Sequence, residues 1–462
     1  MKKALCWVRR DLRLHDHAAL SHAITENDEV QIVFVFDPLI LDKLSDKEDR
    51  RVTFILQSLQ DMDRELASKG ASVLVTYGDP VMEIPRLARE LGAQTVYANR
   101  DYEPYAKKRD HAVTKELSTL GITFKHYKDS VFFEESEIRN GSGAIYKVFT
   151  PYKNKWLETL HAQDDVVPDY TTNLKKLRSW KNPKTALDFD WHAEIGFKST
   201  PAVLTGGTTE ALKRLKKFAV PMARYHETRD IPSLDGTSNL SPYIRHGCLS
   251  VRDMVRAGLS QKNEGARIWL SEVIWRDFYH MILDTHPYVE KSSFKPDYDQ
   301  IKWLGTKESF TAWCQGETGY PLVDAAMRCL NQTGMMHNRL RMVVASFLCK
   351  TLLVDWRQGE RYFAEKLLDF DLAANSGGWQ WSSSTGCDAQ PYFRIFNPYN
   401  QSEKFDADGS FIRLWVPELG HLASRDIHNP PPLLAPDYPR PIVEYEKSRK
   451  QALDMYGVVK KV

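Results

Sequence analysis

The alternation of two hydrophobic periods along the first 130 residues predicts an N-terminal α/β domain with a doubly wound parallel sheet. An all-α C-terminal domain is predicted by the helical period that dominates from residue 207 to 462. A third observation links the two. Residues 131–206 lose both periods and become rich in Pro, Lys, Ser and Thr, as expected of a long interdomain connection with short helical pieces. A chain of 462 residues is long enough for two domains with substantial cores.

Taken in order, the strands of the first domain are expected at Ala4–Val8, Val30–Phe36, Ser72–Tyr77, Thr95–Ala98 and Thr123–His126, each a short β-rich apolar run. Helices fall between them, clearest at Arg51–Ser68, where Val52, Ile55, Leu56, Leu59 and Met62 recur at helical spacing, and at Val81–Leu91. Ligands of such sheets bind at the carboxyl ends of the strands. The first strand runs into RRDLRLHD rather than GxGxxG, which excludes a standard dinucleotide loop there. The connection carries Trp156, Trp180 and Trp191. The helical region opens on the basic stretch Ala211–Phe218, and the chain after Pro430 reads as irregular and Pro-rich.

Composition narrows the function classes. With 63 Lys+Arg against 61 Asp+Glu, the net charge of +2 confines any nucleic-acid contact to a local patch. Six scattered cysteines without a CxxC pair argue against a zinc site or a disulfide scaffold, and no metal is expected. Arg9, Arg10 and Asp11 cut the N-terminal apolar run too short for a signal peptide. No segment approaches the roughly 20 apolar residues of a membrane span, so a soluble cytoplasmic protein is the expectation; a monomer is expected too.

Four constellations carry chemistry. In DGTSNLSPY, Gly236 is expected to free a turn and Ser241 to cap a helix with Pro242 at its first position. Hydroxyls and open N–H groups would then converge as an anion site, the plain alternative being an ordinary capped helix. Glu272, Trp275 and Arg276 share one helix face, which could stack a base, bond its edge and meet a phosphate. Asn338, Arg341 and Met342 form a second face, on a helix expected to begin after Gly334. Arg341 lies among apolar residues and needs a carboxylate, for which Asp369 and Asp371 are the candidates. Asn375 follows Asp371 by one helical turn.

MHNRLRM, DWRxGExYF, DxDxAxNxGGWQW and PYFRIFNP occur together and in order. In this the chain resembles the photolyase/cryptochrome family, and specifically its class I cyclobutane pyrimidine dimer photolyases, over nearly its whole length. The resemblance implies an all-α FAD-binding domain and light-driven electron transfer from reduced FAD to a flipped-out dimer in UV-damaged DNA. Thr237, Ser238, Asn239, Leu240 and Ser241 would hold the flavin's phosphates. Tyr225, Arg341, Asp369, Phe370, Asp371 and Asn375 would hold the rest of it, Asn375 facing the reactive nitrogen. Glu272 and Asn338 would hold the lesion, with Trp275 and Trp381 against it, and Met342 would contact DNA. Arg229, Arg276 and Arg339 would contact DNA. Trp379, Trp356 and Trp303 would relay electrons to the flavin, in that order outward. Where many bacterial relatives have Trp before Met-His-Asn-Arg, this chain has Met335. Tyr105-Ala106 stands where folate-binding relatives have Asn-Glu, which favours a deazaflavin or other flavin over methenyltetrahydrofolate as a second, antenna chromophore. A cryptochrome-type light receptor, a (6-4) photolyase and a non-catalytic nucleotide-binding protein are the competing readings.

Overall fold

The computed structural model describes residues 1–170, 173–179, 187, 189–201, 203–457 and 459, so Trp180 lies outside the described residues. The chain divides into two compact units interleaved in sequence. The first takes Met1–Ile145, Tyr152–Ala223 and Ser238–Asp284; the second takes Tyr146–Pro151, Arg224–Thr237 and Thr285–Val462.

Five strands form the sheet of the first unit: β1 (Lys3–Val8), β2 (Glu29–Phe36), β3 (Val73–Tyr77), β4 (Thr95–Asn99) and β5 (Thr123–Tyr127). All pairs are parallel and the order is β3-β2-β1-β4-β5. The sequence places every one of these strands to within about two residues, the margin usual for element ends. Helices α1 (Ala18–Glu26), α2 (Arg50–Ala67), α3 (Pro80–Leu91) and α4 (Pro104–Thr119) make the crossovers. Local chemistry fixes their ends. Asp49 and Asp79 accept the N–H of Arg51 and Val81, and Gly92, at φ 72, closes α3 in the left-handed conformation. Leu5, Trp7, Val33, Leu74 and Val96 bury the sheet against Ile84, Leu87 and Val113.

The strand order reverses between β1 and β4, where a nucleotide would ordinarily sit. Ion pairs occupy the carboxyl ends of the strands there. Arg9 meets Asp110 at 2.7 Å and Arg10 meets Glu103 at 2.6 Å. In the connecting stretch the chain forms α5 (Phe149–His161), a longer helix than the composition suggested. Its signal is Tyr152, Trp156 and Leu160 at four-residue spacing, all essentially inaccessible to solvent. The first unit also carries α6 (Glu264–Thr285).

The second unit is helical. It is built around α7 (Pro321–Thr333), α8 (Asn338–Lys350), α9 (Trp356–Lys366), α10 (Leu372–Ser382), α11 (Pro398–Phe405) and α12 (Tyr445–Gly457). Gly334 ends α7 at φ 72 and donates its N–H to the Leu330 carbonyl, as its place in the sequence predicts. Side chains of His337, Asp355 and Asp371 cap α8, α9 and α10. The last helix, α12, corrects the expectation of an irregular C-terminus: Ala452, Met455 and Tyr456 bury one face against Ile301 and Leu353. All six cysteines are free thiols. Among the described residues no helix is long and apolar enough to cross a membrane, and no group of His, Cys, Asp or Glu is placed to hold a metal.

Candidate active site

The stretch Gly236–Ser241 differs from its expected form. The helix here is only Ser241–Arg245, five residues long, and its N-cap is Leu240, which offers no side-chain bond. Ser241 is the first helical residue rather than the cap, so the hydroxyl stays exposed. Gly236 has no left-handed backbone. A Cβ on it would lie 2.7 Å from the Thr228 side chain, so its role is close approach of two backbones. The left-handed residue is Asn239, at φ 51, a conformation that Asn tolerates better than most. Leu240 is buried, Ser238 half-buried and Asn239 exposed.

On α6 of the first unit, Glu272, Trp275 and Arg276 are all half-buried. The Trp275 ring lies against Tyr279 at 5.4 Å and edge-on to Phe278 at 5.6 Å, so packing fixes its orientation. Arg276 donates to the Ser130 carbonyl, which ties down one end of the guanidinium. Asp277, next in sequence, points the other way. Buried beneath the Phe132 and Phe133 N–H groups and the Trp156 indole, it has a carboxyl pushed up to about 6 by burial.

In the second unit Arg341 and Asp369 form the expected pair. Nη2 donates to both carboxylate oxygens at 3.0 and 2.8 Å, while Nε donates to the Met336 carbonyl at 2.9 Å. Asp369 and Asp371 are both buried, and the Asp371 side chain accepts the Ala374 N–H at 3.2 Å. Phe370, between them, packs against the core. Asn375 is buried and donates to Glu360, to its carbonyl at 3.0 Å and to its Oε1 at 2.8 Å. Sequence reasoning missed Glu360. Its position in the DWRQGERYF motif is the signal, but nothing local connects α9 to a residue 15 positions later. Burial raises the Glu360 carboxyl above the ordinary range, and the Asn375 amide partly offsets that.

Asn338 is exposed on the first turn of α8, while Arg339 and Met342 are half-buried. Arg339 pairs with Asp230 at 2.9 Å and stacks on Phe405 at 4.4 Å. Arg229 stacks on the buried Tyr225 at 5.3 Å. Trp381 is half-buried on α10. His337 caps α8 through Nδ1, its Nε2 is buried without a partner, and burial lowers its pKa to about 4. Met335, half-buried, uses its carbonyl to accept the Thr333 hydroxyl.

Trp356 and Trp379 are buried in one cluster, and Trp303 packs partly exposed against it. Trp379 touches Phe363 at 5.0 Å and Trp313 at 6.0 Å. Gly359, on α9 three residues beyond Trp356, makes room for it. A Cβ there would fall 2.1 Å from the Trp379 ring.

These residues suit a flavin on the chemistry of their groups. The ring system offers imide N–H, two carbonyls and a ring nitrogen. Asp369, Asp371, Arg341 and the Asn375 amide supply matching acceptors and donors. A Cβ on Gly378 would meet nothing within 4 Å, and the His337 Nε2 is orphaned.

A parallel-sheet unit and a helical unit with this ionic lining define a class of flavin-binding protein, and the family models agree. DNA photolyase matches residues 4–169, and the FAD binding domain of DNA photolyase matches residues 269–458. The chain belongs to the DNA photolyase family and is an enzyme of the photo-lyase kind with a flavin-binding domain. It is 39% identical over 475 residues to the deoxyribodipyrimidine photo-lyase of Vibrio cholerae, covering 99% of each. A class III photolyase from Agrobacterium tumefaciens is similar in structure, with a TM-score of 0.90 and 34% identity over 100% of this chain and 98% of that one. An archaeal photolyase from Sulfolobus tokodaii, solved with two FAD molecules, gives 0.86 and 34% over 98% and 99%.

Proposed function

We propose that this protein splits cyclobutane pyrimidine dimers in DNA under light, using reduced FAD. The observation that carries the reading is the pairing of Arg341 with the buried Asp369, in the same helical unit as a buried Asn375 amide oriented by Glu360. Pairing within the protein offsets the cost of these polar groups and holds them in place, as a polar ligand such as a flavin requires. The flavin, when bound, supplies the light-driven one-electron chemistry that no side chain can.

The chain's own residues orient and enclose. Thr237, Ser238, Asn239, Leu240 and Ser241 are the proposed contacts to the cofactor's phosphates. Tyr225, Arg341, Asp369, Phe370, Asp371 and Asn375 are the proposed contacts to the remainder. Asn375 presents a neutral amide where Asp would add a repelling charge. Glu272 and Asn338 are proposed to bond the dimer, Trp275 and Trp381 to pack on it, and Met342 to contact DNA. Damaged bases cost less to flip than intact pairs, which aids their selection. Arg229, Arg276 and Arg339 would position the DNA backbone. Trp303, Trp356 and Trp379 would return electrons to an oxidised cofactor; their shared apolar cluster supports this.

For an antenna, Ala106 is buried on α4 and the Tyr105 hydroxyl donates to Asp37, so no Asn-Glu pair is present. That supports a deazaflavin or second flavin over methenyltetrahydrofolate. The test of the whole proposal is to illuminate the purified holoprotein with a UV-irradiated thymine oligonucleotide. Loss of dimers in the light but not in the dark is expected. Bound flavin without any dimer loss would leave a light receptor instead.

A further inference from the structure

Asp230 lies beside two arginines. Its Oδ1 is 2.9 Å from Nη2 and 3.3 Å from Nε of Arg339, and 3.9 Å from Nε of Arg229. Both guanidiniums are also held from a second side by an aromatic face, Arg339 by Phe405 and Arg229 by Tyr225. Lys404 sits over the same Phe405 ring at 5.2 Å. Three cations are therefore gathered in this part of the helical unit, and Asp230 is a carboxylate paired to two of them. Neither Asp230 nor Arg339 is deeply buried: their side chains are 38% and 19% exposed.

We propose that Asp230 is the internal counter-ion of Arg339, exchanged for a DNA phosphate on binding, and so limits affinity for undamaged DNA. The inference rests on the reading that Arg339 and Arg229 face DNA. Two effects of Asp230 oppose each other, and their sizes decide the sign. As a positioning residue it holds the guanidinium, but a half-exposed ion pair contributes little, and Phe405 already orients the same group. As a competitor it must be displaced before a phosphate can take its place. It also repels that phosphate at close range, an effect that salt screens. Competition wins.

The counter-ion role has a distinct signature. An arginine already neutralised by a carboxylate releases less salt when it takes up a phosphate. Removing the carboxylate therefore steepens the salt dependence of DNA binding by up to about 0.9 in log–log slope, the value of one phosphate contact. A merely structural role would not change that slope.

The experiment measures binding of undamaged duplex to the holoprotein in the dark, by fluorescence anisotropy, between about 50 and about 200 mM salt. Asp230→Asn is expected to bind about three- to tenfold tighter at the low end and to show the steeper slope. Asp230→Ser should do the same, and Asp230→Glu should return both values toward wild type. Arg339→Ala should weaken binding and flatten the slope. Weaker binding or an unchanged slope in Asp230→Asn and Asp230→Ser, with Arg339→Ala still weakened, overturns the counter-ion role alone. No effect of Arg339→Ala overturns the DNA-facing reading and the proposal with it.

Discussion

Replacing Gly359 with alanine sets two well-known effects against each other. Gly359 lies within α9, where Ala is the better helix former by about 0.8–1.0 kcal/mol, so propensity alone predicts stabilisation. The structure predicts the opposite. The added Cβ would lie 2.1 Å from Cη2 and 2.4 Å from Cζ3 of Trp379, and 2.6 Å from Cδ2 of Leu348. Carbon atoms in contact prefer about 3.5–4.0 Å, so the indole would have to withdraw by more than about 1 Å. It has nowhere to go: Trp379 is 2% exposed and packed against Phe363 and Trp313. Overpacking of this kind costs about 1–3 kcal/mol and occasionally more, with the severity here toward the upper end. After the propensity gain, a net loss of about 1–2 kcal/mol remains. Urea denaturation of Gly359→Ala followed by tryptophan fluorescence should show a lower midpoint, and a Trp379→Phe background should relieve most of the loss. A midpoint equal to or above wild type would mean that Trp379 does not occupy this position, and the proposed electron route through it would lose its structural support.

Other perturbations bear on the same site. Asp369→Asn leaves the Arg341 guanidinium without its carboxylate, a loss of about 1–3 kcal/mol, and should lower the flavin-to-protein absorbance ratio of the purified protein. Lys350 is fully buried, its ammonium donating to the Arg394 carbonyl at 3.2 Å, and burial lowers its pKa to about 7. The unfolded chain keeps that proton until pH approaches 10.4, so between about 7 and 10 it binds more protons and stability rises with pH. Subtracting the stability profile of Lys350→Met from that of wild type should reveal a rise on the order of a few kcal/mol; a flat difference would refute the assignment. Trp356→Phe should cripple photoreduction of oxidised flavin yet spare dimer splitting when the flavin is reduced chemically. Equal loss of both would contradict the relay.

How much could be read in advance depended on how local the cause was. The strands were legible because apolar runs such as Val30–Phe36 sit in parallel pairings that need little else. The Arg341–Asp369 pair was legible because a charge amid Val343, Val344 and Phe347 requires a partner. Contacts between distant segments were not. Asp230 and Arg339 are 109 residues apart, and Asn375 and Glu360 meet across two helices. At Gly236 the sequence suggests backbone freedom, whereas the structure needs its missing side chain. The residue type of Ser241 favours a cap, yet the chain turns one residue earlier, at Leu240. Helix α12 hid behind the prolines that precede it.

The most direct test is the action spectrum of dimer splitting, recorded on wild-type protein with its flavin fully reduced. The account predicts a spectrum that follows the absorption of the bound reduced flavin together with any antenna, and no splitting by protein stripped of flavin. Dimer loss that persists in the stripped protein, or none at any wavelength in the loaded one, would contradict it.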